Sequence, residues 1–330
     1  MNGEDEMDND PRQIGDTLAL KKKDVLNFLK KHPPSDKEGL TQIFFHASVT
    51  LFSASLLNYC IRHTLPTIFV LSSLLFHSFI ISFLFHGLHE TMHLTAFKSQ
   101  RLNWIFANFF GFLTLRPPVF YIAYHSAHHR HTGDEKKDPE LANSFLDPKI
   151  TTVSTYLFFL SGIMFWYNRT STIIRHALDL PLSKGEYYIT PKYKKMVVKE
   201  ARKVITFYVV LFFLSWIFGR FNILCTYFLL PSFLGQPFLR YYLLAEHANC
   251  VESLDMTKNT RTTLTYPIYS ALAWHMNYHS EHHAYPNVPF YALGDLYRFL
   301  DQVSTEKTSC SPDGKGGYRF IHTEFVKTLQ

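Results

Sequence analysis

Three short stretches of this chain carry histidines at spacings that suit metal binding: H-E-T-M-H (residues 89–93), H-S-A-H-H (125–129) and H-S-E-H-H (279–283). His89 and His93 are four apart, so on a helix both imidazoles project from one face. In H-x-x-H-H the first histidine meets the others at i+3 and i+4. His125, His128 and His129 can therefore converge on a metal, as can His279, His282 and His283. Read alone, H-E-T-M-H matches the H-E-x-x-H pattern of a zinc metallopeptidase, with Glu90 as the general base. The three boxes together supply more imidazoles than one zinc can use, because a catalytic zinc keeps a position open. Imidazole suits iron, copper, nickel and zinc alike. The ligand type leaves the metal open, while the count favours two ions.

Such clusters need elements that bring them together. Aromatic residues make up 16% of the 330 residues, with 31 Phe and 19 Tyr. Charged residues reach only 18%, against roughly 25% in soluble proteins. The mean hydropathy of −0.05 averages very apolar segments with very polar ones, the split of a membrane protein with aqueous parts. Two apolar stretches, about 42–61 and 66–88, are separated by a short R-H-T-L-P turn. Each is near the ~20 residues that cross a ~30 Å hydrocarbon core. A second pair, about 203–219 and 221–244, is split by G-R-F-N, and Pro231 and Pro237 suggest a kinked last helix. Residues 104–115 and 152–167 are too short or borderline and read as interfacial or re-entrant. The fold class expected is an all-α integral membrane protein: four transmembrane helices as two hairpins, with interfacial or re-entrant helices and a cytosolic histidine-rich cap.

The net charge of +6 does not imply nucleic acid, because the basic residues flank apolar segments instead of forming a binding face. Residues 168–203 are rich in Lys and Arg, which places that loop in the cytoplasm. Four crossings then put 89–202, 245–330 and the N-terminus on one side, where every box lies. Cys60, Cys225, Cys250 and Cys310 are scattered, so neither a disulfide framework nor a thiolate metal site is expected. Residues 1–40 read as a flexible polar tail with a short basic helix at 21–31, which either lies on a membrane surface or is a solvated linker. The acidic start excludes a usual cleaved signal peptide. The membrane domain is expected over 41–300 and a cytosolic C-terminal tail over 301–330.

The three boxes resemble those of the integral-membrane fatty acid desaturase superfamily. Their surroundings are similar as well: H-x-T-A-F (93–97), H-H-R-H-T-G-D (128–134), D-P-E-L (138–141) and Y-H-S-E-H-H-A-Y-P-N-V-P (278–289). The likeness runs from about 45 to 300. It implies a non-haem di-iron centre at the cytosolic membrane face that uses O2 as co-substrate. A fatty-acyl lipid would be the substrate, and electrons would come from a separate donor such as cytochrome b5 and its reductase, or ferredoxin. Position by position, it makes His89, His93, His125, His128, His129, His279, His282 and His283 iron ligands. His247, in L-A-E-H-A (244–248), fits the further ligand that members often carry after the fourth crossing. The chain has no H-P-G-G haem motif, so no fused cytochrome b5 domain is expected. The endoplasmic reticulum is the compartment that the likeness and topology imply.

Metal-bound imidazoles usually give their other ring N–H to a carboxylate or carbonyl. On that ground Glu90, Asp138 and Glu281 are candidates to orient ligands, and Asn277 could hold a metal-bound water. His86 shares the face of His89 and reads as a membrane-interface histidine or a partner of a ligand. His131 and His275 fall outside the motifs. His32, His46, His63, His77, His176 and His322 read as unrelated to the centre. The nearest rival is a hydroxylase or ketolase of the same superfamily acting on a carotenoid, sterol or alkane. A metal transporter or an inactive scaffold is a further one.

Overall fold

The computed structural model describes residues 22–142, 149–251, 258–303, 310 and 314–330. The expected acidic N-terminal tail lies outside the described residues. The basic helix does not: α1 (Lys22–Lys31) buries Phe28, whose ring stacks on Phe299 at 5.8 Å.

Helix α2 (Asp36–Arg62) starts at Ser35, whose hydroxyl accepts from the Glu38 N–H, and stops before Pro66. Its buried positions Gly39, Gln42, His46, Ser53, Leu57 and Cys60 follow a helical period. The opposite face shows Phe44 at 76% and Leu51 at 68% exposure. Small and polar residues thus face inward and large apolar ones outward, an arrangement that suits lipid better than water. Helices α3 (Thr67–Ser82) and α4 (Leu84–Met92) continue one another. Asp36–Arg62 and Thr67–Met92 are the two stretches, among the described residues, long and apolar enough to cross a membrane. His77 ties the first hairpin to the later bundle. Its ring lies 2.8 Å from Ser53 Oγ and 3.0 Å from the Tyr227 carbonyl oxygen.

Helix α5 (Gln100–Leu113) is anchored by Asn103, which closes the 94–99 turn by bonding the Leu94 and Phe97 carbonyls and the Phe97 N–H. Helix α6 (Pro118–His131) leaves it at 96°, the geometry of a broken or re-entrant element. The corner needs Gly111, because a Cβ there would lie 2.6 Å from the Arg116 carbonyl oxygen. Pro117 gives α6 no side-chain cap, and Glu200 from a later helix supplies one. Its carboxylate accepts from the Val119 N–H at 2.8–3.0 Å and the Phe120 N–H at 3.3 Å. A buried anion at a helix start satisfies free donors and complements the dipole. Glu200→Ala should lower unfolding stability by about 1–3 kcal/mol, the cost of leaving buried donors unpaired. An unfolding midpoint in detergent that does not move would refute this role.

Short helix α7 (Pro139–Ala142) follows. Helices α8 (Val153–Ser161) and α9 (Ile163–Ala177) break at Gly162, which has φ 69° and presses on Gln236, where a Cβ would approach within 2.4 Å. Helix α10 (Pro191–Ile217) joins a basic first half to an apolar second half. Helix α11 (Phe221–Leu224) passes through a π turn at Cys225–Leu229 into α12 (Leu230–His247), which packs along α3. The second pair of crossings is expected on these helices, but none of them is among the stretches long and apolar enough to cross a membrane. They are less uniformly apolar than the first pair, since α10 keeps Glu200, Arg202 and Lys203 at its middle and α12 carries Gln236, Arg240 and Glu246.

The C-terminal part contains α13 (Pro267–Leu272), α14 (His279–Ala284), α15 (Leu293–Val303) and α16 (Gly317–Lys327), and no strand occurs among the described residues. Helix α16 packs inward. Its Tyr318 and Ile321 join Tyr242, Met276 and Leu296 in one core, so the stretch expected as a tail includes a docked helix. A second correction concerns cysteine: Cys250 and Cys310 are joined as a disulfide, with Cα atoms 4.4 Å apart. They are 60 residues apart in sequence, so no local spacing could reveal the pair.

Candidate metal centre

All three boxes lie on or beside helices that end at one place. Helix α4 carries His89 and is followed by His93, α6 carries His125, His128 and His129, α14 carries His279, His282 and His283, and α12 ends at His247. The nine imidazoles form two groups. Ligand-capable nitrogens of His89, His93, His125, His129 and His282 lie within 4.8 Å of one another. His128, His247 and His283 form a second group, and Glu246, His247 and His279 overlap it. The groups adjoin, with the His129 and His283 rings stacked at 4.2 Å.

Each H-x-x-H-H box is therefore divided between two places, where the sequence reading let all three of its histidines converge. From the first box His125 and His129 go to one group and His128 to the other. From the second, His282 goes to one while His279 and His283 go to the other. Helix geometry explains this: at about 100° per residue, i and i+4 diverge by about 40°, whereas i+3 points about 100° away from i+4.

The donor set fits metal binding. His125 Nε2 lies 3.0 Å from both His93 Nε2 and His129 Nε2, and His129 Nε2 is 3.2 Å from His282 Nε2. One ring proton cannot bridge so many nitrogens, whereas a cation among them can. For a metal–nitrogen bond of about 2.1 Å, nitrogens at right angles lie about 3.0 Å apart and at the tetrahedral angle about 3.4 Å. In the second group His279 Nε2 and His247 Nε2 are 3.2 Å apart, and His283 Nε2 is buried without a hydrogen-bond partner.

The rings are oriented from behind. His89 Nδ1 is 2.8 Å from Glu90, His128 Nδ1 is 2.9 Å from Asp138, and His247 Nδ1 is 3.0 Å from the Asn259 carbonyl. Glu90 and Asp138 are thus each bonded to an imidazole, whereas Glu281 and Asn277 are not. The Glu281 carboxylate accepts from Thr262, while the Asn277 side chain is occupied by Ser270 at 2.6 Å and the Thr263 carbonyl at 3.2 Å. Both residues brace the loop before α14 instead. Two acids escaped the sequence reading. Glu246 lies 3.3 Å from His279 Nδ1, and Glu140 lies 3.9 Å from His128 Nε2. Their neighbours His247 and Asp138 were the available signals. His86 is buried against Tyr242 at 4.5 Å, outside both groups, as are His131 and His275.

Burial, followed by neighbouring imidazoles, holds His279, His282 and His283 well below the ordinary histidine range. Burial and His128 bring His247 down to about 4. Neutral imidazoles are the metal-binding form. At His128 burial also opposes the charge, yet Glu140 and Asp138 outweigh it and raise the group to about 9. A depressed histidine adds stability that is complete above about pH 6.5 and lost on acidification, while His128 contributes fully below about 6.5 and loses its share as pH rises through about 9.

Apolar helices long enough to span a membrane, together with two adjoining histidine groups able to hold metal, define a helical metal-binding protein of membrane type. Residues 64–310 match the family model for fatty acid desaturases, and the chain belongs to that family. No curated protein matches it significantly.

Proposed function

We propose that the chain is an O2-dependent membrane oxidoreductase that introduces a double bond into a fatty-acyl lipid at a non-haem di-iron centre. The division of nine imidazoles, each buried or half-buried, into two adjoining groups carries this reading. His89, His93, His125, His129 and His282 would hold one iron. His128, His247, His279 and His283 would hold the other, with Glu246 beside them. When bound, the irons supply the redox chemistry with O2. Overall, the acyl chain loses two hydrogens and O2 takes up two electrons and two protons more, leaving two waters.

The chain's own residues do the positioning. Glu90, Asp138 and the Asn259 carbonyl fix which imidazole nitrogen faces the metal, and the packed helices exclude water. Glu90 is held by His89 Nδ1 on the side away from the other imidazoles, which disfavours its use as a peptidase base. Four crossings, with α10 and the α11–α12 run as the second pair, would place the boxes and both termini in the cytosol, in the endoplasmic reticulum. Cytochrome b5 or a similar acidic donor could then meet the basic base of α10.

The test is expression in a host of defined lipids, with products and bound metal measured with and without O2. A new double bond and about two irons per chain are expected. An added oxygen in the product would move the chain to the hydroxylase reading. A single zinc would sink the di-iron centre.

A further inference from the structure

The Cys250–Cys310 disulfide lies directly behind the second imidazole group. Cys250 follows α12, and its N–H donates to the His247 carbonyl at 3.1 Å. The segment 258–261 runs between the two sulfurs. Its Asn259 carbonyl holds His247 Nδ1 at 3.0 Å, and Asn259 Nδ2 donates to the Thr132 carbonyl just past α6, also at 3.0 Å. The Arg261 N–H and the Thr260 hydroxyl both donate to the Glu246 carbonyl at 3.1 Å. The disulfide thus closes a clamp. One sulfur is tied to the end of α12, the other rests on the 258–260 backbone, and the carbonyl that orients His247 is part of that backbone.

The surroundings of both sulfurs suit the open state as well as the closed one. Cys310 Sγ is 3.1 Å from the Thr260 carbonyl oxygen and 3.4 Å from that of Lys258. A disulfide sulfur has no proton to give them, whereas a Cys310 thiol can donate to either. Arg261 donates to Cys250 Sγ at 3.2 Å, and a guanidinium beside a sulfur supports the anion formed there in thiol–disulfide exchange. Acceptors for a thiol proton and a donor for a sulfur anion are what a pair that opens needs. Cys60 and Cys225, by contrast, are unpaired.

We propose that Cys250 and Cys310 form a reversible thiol–disulfide site, exchanged by a low-molecular-weight thiol couple such as glutathione, that tightens or loosens the hold on His247. On closing, the two thiols give up two electrons and two protons, which glutathione disulfide takes up as two glutathione thiols. Opening runs in reverse through a mixed disulfide. Cys250 is half-buried while Cys310 is only 4% exposed, so a soluble thiol reaches Cys250 first. In the second exchange Cys250 leaves as the anion that Arg261 faces. The freed sulfurs part to contact distance, and the 258–261 segment can then draw the Asn259 carbonyl away from His247. The site goes beyond the proposed reaction and borrows from it only the cytosolic placement, where lasting disulfides are rare and those that form are mostly transient or redox-sensing.

The test uses the full chain in detergent, stripped and reloaded with zinc, which keeps one oxidation state so that glutathione acts on sulfur alone. The protein is equilibrated in buffers from reduced to oxidised glutathione. Differential alkylation then maps each cysteine, and a chromogenic chelator follows zinc release. Cys250 and Cys310 should change state together, while Cys60 and Cys225 stay as thiols. Zinc held by the second group should leave the reduced form at least about tenfold faster, the low end of the effect of losing a partner of a metal-bound imidazole. Release from the first group should not change. Cys310→Ser should fix the fast rate in every buffer, and Cys225→Ser should respond as the natural chain does. A pair that stays closed across the whole range is a permanent staple and overturns the proposal. So does a pair that never closes, an equal release rate in both states, or a Cys310 variant that still responds. Neither O2 nor lipid takes part, so a failed product assay leaves this site standing, and a failed exchange leaves the reaction standing.

Discussion

His282→Ala should reduce product formation at least about 100-fold, the upper end of the loss seen when mere supporting partners of metal ligands are removed. His282 is fully buried, and its ring lies 4.7 Å from that of His89 and 4.5 Å from that of His93. Its Nε2 is 3.2 Å from His129 Nε2. Truncation removes one of five nitrogens and leaves a void that no neighbour can fill with a donor. Bound metal should fall from about two toward one per chain, because the second group keeps all its imidazoles. Metal analysis of the purified variant checks this directly. A zinc peptidase that relied on H-E-T-M-H alone would lose neither metal nor activity, and that result would defeat the proposal.

The second large effect is expected at a histidine outside every box. His247 Nε2 is 3.2 Å from His279 Nε2, its ring is 5.2 Å from that of His128, and its Nδ1 is held 3.0 Å from the Asn259 carbonyl. His247→Ala should likewise cost at least about 100-fold in product, while the five-histidine group retains its metal. The two variants should thus each lose one metal, from different places. Metal-centre spectroscopy should give different residual signals for them. Identical residual signals, or an active His247 variant with full metal content, would show that the two groups do not act as separate sites.

The candidate histidines stand out in the sequence because their code is local. Box composition and the i, i+4 rule operate within a single helical turn, and His247 follows directly from an apolar helix. The same holds for Glu90, next to His89 in sequence, and for Asp138, whose D-P-E-L turn directly follows α6. The first hairpin was equally plain, since twenty apolar residues need no partner to declare themselves. The second expected pair of crossings does not stand out in the same way, because α10 and α12 carry charges whose roles lie inside the fold. Glu200 caps α6 across 81 residues of sequence, and Gln236 and Arg240 lie along the interior seam.

By itself, the sequence determined the residue types, the family and the nine imidazoles offered to metal. Only the tertiary structure decided how they divide. His93 meets His125 across 32 residues and His129 meets His282 across 153. The rotation of each helix about its axis sends the i+3 histidine of a box to a different group from its i+4 neighbour. The same packing placed Glu246 beside His279, turned Glu281 toward Thr262 and joined Cys250 to Cys310. Such contacts depend on which helix faces arrive together, and that is a property of the packed chain, not of any short stretch within it.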